Sequence, residues 1–201
     1  LAAEGDAAPL TCGIPVALKD LFAVAGLGLT ASSRVLEGSV AAADSAVWRR
    51  LRAHGAVLAG HTHTHEFAAG GTTDQVANPW APDRIAGGSS GGSAAALAAR
   101  MVPAAVGTDT AGSLRIPAAL SGVCSIKPTY GRVPDDGCIP LSPTLDHPGP
   151  MARSVADASA LLVALATEPG VDPGPVVAAL PLHPRDGARP LEGLRVAVTG
   201  R

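Results

Sequence analysis

Between Gly87 and Ser113 the chain makes two glycine-rich turns with a helix-forming run and a short apolar segment between them. The first turn reads Gly87-Gly88-Ser89-Ser90-Gly91-Gly92-Ser93 and the second Gly107-Thr108-Asp109-Thr110-Ala111-Gly112-Ser113, which puts Ser89 and Ser113 24 residues apart. The Ser93–Met101 run is alanine-rich and strongly helix-forming, and Ala104–Val106 is a strand candidate. A turn that runs straight into a helix, and a strand that runs straight into a second turn, describe a structured joint rather than a flexible linker.

The rest of the chain repeats this alternation. Gly13–Leu18 reads as a buried strand with Lys19 at its carboxyl end. Asp44–Ala53 is a helix candidate, with Asp44 as cap, Val47 and Leu51 on one face and Gly55 closing it. Ala56–Ala59 reads as a second strand and 70–92 as loop. Ser113–Leu120 reads as a short helix with Pro117 in its early turns, where proline is least harmful. Val123–Ile126 returns as a strand, and Ser154–Ala166 is a helix capped by Ser154 with Asp157 three residues on. The Pro- and Gly-rich stretch 169–190 reads as a surface connection and 194–198 as the start of a further strand. Short buried strands alternating with helices predict an α/β fold: three layers, α/β/α, around a mixed central sheet. One domain over 1–201 is expected, truncated at both ends, because the chain begins at Leu1 and stops just after a strand-like run.

Lysine is scarce: two lysines, Lys19 and Lys127, stand against thirteen arginines. Arginine cannot give up its proton in a protein, whereas a buried lysine can. Two serines and a deprotonatable lysine are enough for a nucleophile and its base. A net charge of −2 offers no electrostatic case for nucleic acid or an anionic membrane. The apolar runs are broken well short of the ~20 residues of a membrane span. Cys12, Cys124 and Cys138 form no CxxC pair and read as reduced, mostly buried thiols of a cytoplasmic protein.

Rival readings of the first turn are weaker. Walker A needs a lysine after its last glycine, and GxGxxG is absent. Gly88-Ser89-Ser90-Gly91-Gly92 matches GxSxG formally, with Asp146 and His147 downstream, but no hydrophobic strand precedes it. His61, His63 and His65 alternate as on one side of a strand; HExxH fails at Ala69, so they read as structural, and neither metal nor organic cofactor is expected. Lys127, before Pro128, reads as a surface lysine.

Taken together, Gly87–Thr129 resembles the signature of the amidase signature family. So do Gly13-Ile-Pro-Val-Ala-Leu-Lys-Asp20, His65-Glu-Phe, Asn78-Pro-Trp, Tyr130-Gly-Arg-Val and Leu145-Asp-His-Pro-Gly-Pro-Met-Ala-Arg153, in the family's order. The resemblance spans most of residues 13–165. It implies a Ser–cis-Ser–Lys triad, with Ser113 as nucleophile, Ser89 as bridging serine and Lys19 as base. Backbone N–H groups of Thr110, Ala111, Gly112 and Ser113, where a helix begins, would form an oxyanion hole. Asp109 and Arg115 would pair to brace the turn. Ser90 either hydrogen-bonds within the site or simply satisfies the turn. Many members carry glycine where Ala111 stands; if that position needs positive φ, alanine is strained there.

Lys19 can serve as a base only if burial lowers its pKa from ~10.4. The implied activity is hydrolysis of a carbon–nitrogen amide bond through a Ser113 acyl-enzyme, on a small-molecule amide. Partners would be a second copy, or none. One alternative is the glutamine-hydrolysing subunit of a glutamyl-tRNA(Gln)/aspartyl-tRNA(Asn) amidotransferase, with partner subunits to receive the ammonia and contact the tRNA. The other is an inactive fragment, since family members are typically more than twice this length.

Overall fold

Hydrophobic periodicity places seven strands and four α-helices in the computed structural model, which describes residues 11–168 together with Pro9, Val171 and Arg195. Strands β1 (Pro15–Lys19), β2 (Val57–Thr62), β5 (Ala104–Asp109), β6 (Cys124–Ser125) and β7 (His147–Ala152) form one sheet in the order β2-β1-β5-β7-β6. β1 runs parallel to β2 and β5; β7 is antiparallel to β5 and β6, so the sheet is mixed. A separate two-stranded hairpin joins β3 (Ala77–Asn78) to β4 (Ala81–Ile85).

Side-chain alternation splits the core in two. Val16, Leu18 and Val106 face α1 (Ala46–Ala53) and α4 (Val155–Ala166), packing on Val47, Leu51, Leu161 and Leu165. Ala17, Ala105 and Met151 face α2 (Gly91–Ala98) and α3 (Arg115–Ser121), packing on Ala94, Leu97 and Ala118. The result is α/β/α, as expected. The second face is built largely of alanine, so α2 lies close to the sheet.

Several boundaries shift for local reasons. Ser45, not Asp44, caps α1: its Oγ accepts from Trp48 N at 3.3 Å. The Asp44 carboxylate instead accepts from Ala25 N (2.8 Å) and pairs with Arg52 (2.8 Å). Ser154 caps α4 as expected, accepting from Asp157 N and donating to its carboxylate. α2 starts at Gly91, two residues before the expected Ser93, and α3 at Arg115, two after the expected Ser113. The stretch read as loop at 70–92 holds the β3–β4 hairpin, tied down by Asn78 Nδ2, which donates to Leu120 O at 2.8 Å.

β7 is absent from the sequence-based expectation because Pro148 and Pro150 argue against a strand. Pro150 O accepts from Ile126 N on the β6 side, so its missing N–H lies on that edge and β5 loses nothing. The connection expected at 169–190 and the strand at 194–198 lie outside the described residues, Val171 and Arg195 apart. Among the described residues no helix is long and apolar enough to cross a membrane. The three cysteines are free and part-buried as whole residues, with Cys138 packed against the core.

Candidate active site

Lys19 ends β1 on the same face as Ala17, toward α2 and α3. It is 0 % exposed. Its Nζ donates to Ser89 Oγ at 2.7 Å and to Thr108 Oγ1 at 2.8 Å. Burial pushes the amine down to about 7, against the opposing pull of the Asp146 and Asp109 carboxylates. Lys127 is different: it is exposed and donates to Pro128 O.

Ser89 follows a cis peptide bond from Gly88. Its carbonyl accepts from His65 N (3.1 Å) and Thr73 Oγ1 (3.2 Å), which fixes the turn against the segment before β3. Gly88 sits so close to Thr72 that an added Cβ would collide with the Thr72 backbone. Gly88→Ala is therefore expected to cost at least ~2 kcal/mol, because backbone on both sides must give way. Urea unfolding checks this, and an unchanged midpoint would show that the turn has room. Ser90 braces the two turns. Its Oγ donates to Thr108 O (3.1 Å) and accepts from Thr108 N (3.2 Å), while its N–H donates to Ser113 O (3.3 Å).

Ser113, held to the first turn by that last bond, is 8 % exposed. It lines a cavity of about 400 Å³ with the Ala68–Gly71 segment, Thr110, Ala111, Ile116 and Leu141. Asp109 holds the turn beneath it. Its carboxylate accepts from Gly112 N (2.7 Å) and Leu114 N (3.1 Å), and takes a two-pronged grip from Arg115 at 3.0 Å on each oxygen. Burial alone would raise the Asp109 carboxyl, but these hydrogen bonds, Arg115 foremost, outweigh it and hold the group below its ordinary range.

Two expectations change here. The Gly112 N–H is taken by Asp109, so of the four backbone donors expected for an oxyanion it is the one already engaged. The positive φ falls on Gly112 (+138°), not on Ala111, so alanine at 111 is unstrained.

The three histidine rings meet nearby backbone carbonyls and hydroxyls. Only His61 lies in β2; its ring nitrogens meet Gly28 O (3.1 Å) and Phe22 O (3.0 Å). His63 meets Ser32 Oγ, and His65 meets Thr72. Among the described residues no group of three or more His, Cys, Asp or Glu is arranged to hold a metal ion. Thr108 is a partner of Lys19 that the motifs do not announce. The available signal was a hydroxyl at the end of an otherwise apolar strand, immediately before Asp109.

The Amidase family model matches residues 1–200. The chain belongs to the amidase family. The chain is 46% identical over 215 residues to the A subunit of the glutamyl-tRNA(Gln) amidotransferase of Ralstonia nicotianae, an alignment covering 98% of this chain and 43% of that relative. Among solved structures it resembles the corresponding amidotransferase protein from Thermotoga maritima, with TM-score 0.75 and 41% identity, over 78% of this chain and 37% of that one. It also resembles the peptide amidase of Stenotrophomonas maltophilia, with TM-score 0.73 and 41% identity, over 85% of this chain and 37% of that one. The chain thus spans less than half the length of these amidase family relatives.

Proposed function

We propose that this chain carries the catalytic residues of an enzyme that cleaves a linear amide bond, and that the amide is glutamine's, as in the tRNA amidotransferase branch of the family. The observation that carries the first part is the buried Lys19–Ser89 hydrogen bond, joined through Ser90 N to the carbonyl of Ser113, which lines a cavity. The names of the 46%-identical relatives favour the second part over the free-standing amidase that the motifs alone put first.

In the neutral state Lys19 gives one N–H to Thr108 and turns its lone pair to the Ser89 hydroxyl. Ser113 Oγ attacks the amide carbon as its proton passes to Ser89 and the Ser89 proton passes to Lys19. The N–H groups of Thr110, Ala111 and Ser113 receive the developing oxyanion; such donors are each worth ~3 kcal/mol. Collapse breaks the C–N bond, and the relay run backwards protonates the departing ammonia. Water then cleaves the Ser113 ester by the same base.

The test is ammonia release by the full-length protein, by itself and with co-purifying subunits, from glutamine and from aliphatic, aryl and ureido amides. Glutamine turnover that rises with partner subunits supports the amidotransferase reading. Rapid turnover of simple amides by the isolated chain, with none of glutamine, would return the free-standing hydrolase. No turnover of any amide by a folded protein would leave the inactive reading.

A further inference from the structure

Asp146 touches two walls of the cavity at once. Its Oδ1 accepts from the Thr110 hydroxyl, and its Oδ2 accepts from Leu141 N (2.8 Å) and Ser142 N (2.9 Å). Thr110 and Leu141 both line the cavity beside Ser113. The carboxylate is buried, and all three of its donors are uncharged; among the described residues it makes no ion pair.

We propose that Asp146 is a positioning residue for amide cleavage: it ties the Ser113 turn to the Leu141–Ser142 wall through a buried carboxylate that has no ion-pair partner among the described residues. The proposal rests on the Ser113–Ser89–Lys19 reading above.

The groups near enough to bear on the Lys19 amine are the Cys138 thiol and the Asp146 and Asp109 carboxylates. Burial pushes the Cys138 thiol up to about 12, so at neutral pH it carries no charge. Asp109 is gripped by Arg115, whose cation offsets it. Asp146 is left as the carboxylate whose field favours the protonated amine. Removing its charge shifts Lys19 toward the free base at lower pH.

The experiment measures kcat, KM and the acid limb of kcat/KM in full-length Asp146→Asn, Asp146→Glu and Thr110→Val, with fluorophosphonate titration counting competent sites. In Asp146→Asn the acid limb moves to lower pH, and kcat per titrated site falls ~10- to 100-fold as the tether slackens. Asp146→Glu keeps the limb where the parent has it. Thr110→Val lowers kcat but leaves the limb, because the charge remains. An Asp146→Asn enzyme with an unmoved limb and parental kcat per titrated site overturns the proposal. If that variant does not fold, Thr110→Val with parental kcat overturns the tether, and Asp146→Glu with a displaced limb overturns the charge. Turnover retained in Ser113→Ala would instead sink the underlying reading, whatever Asp146 does.

Discussion

Ser113→Ala is expected to lower kcat/KM of the full-length enzyme by ~10⁴-fold or more while leaving its melting temperature unchanged. The size follows from the chemistry: without the hydroxyl no acyl-enzyme forms, and the residual rate comes from binding and oxyanion donors alone. The structural neutrality follows from the contacts. The bracing bonds of the turn run through the Asp109 carboxylate and through Ser113 O, which alanine retains. Fluorophosphonate labelling followed by peptide mapping gives an independent reading, with label on Ser113 in the parent and none in the variant. Turnover within tenfold of the parent would place the nucleophile elsewhere.

Lys19→Arg is expected to abolish turnover to a similar degree, although the positive charge is kept. The guanidinium does not give up its proton at any accessible pH, so Ser89 has nowhere to send its own. In the parent, kcat/KM should climb with pH through about 7, as the buried amine becomes the free base. Stability should follow the same group. Between about 7 and 10.5 the unfolded chain holds a proton on this lysine that the folded chain has released. Stability therefore rises with pH across that window, by an amount on the order of a few kcal/mol, and the penalty is fully present below it. Urea midpoints at pH 7 and 9 measure the effect. An arginine variant that retains turnover, or a parent with a flat pH profile, would remove Lys19 from the mechanism.

What the sequence disclosed, and what it hid, divides along physical lines. β1 and the Ser154 cap were readable because each rests on a local rule: an apolar run in the first case, a serine with an acid three residues on in the second. The grouping of Lys19, Ser89 and Ser113 came from a long, non-repetitive resemblance; the fold hydrogen-bonds Lys19 to Ser89 and ties the Ser113 carbonyl to Ser90 N. β7 was hidden by two prolines whose harmlessness depends on which edge of the sheet they face, and that is decided by a neighbouring strand. The engagement of the Gly112 N–H by Asp109 was hidden because a helix start two residues further on leaves that group to a side chain. The contacts of Thr108 with Lys19 and of Asp146 with Thr110 were hidden because these partners lie 89 and 36 residues away.

The serines, Thr108 and the Asp109 brace all lie in the continuous stretch from Gly87 to Arg115, whereas Lys19 reaches Ser89 across 70 residues of chain. The parallel pairing of β1 with β5, Val16 against Ala104 and Leu18 against Val106, brings the amine to that stretch. A slip of one residue would turn Lys19 to the opposite face. Long-range parallel pairing is slow to form, since the entropy of closing a long loop is lost before any contact rewards it. During refolding, nucleophile reactivity should therefore lag behind the helical signal. Probe labelling at Ser113 then becomes a clock for closure of the central sheet.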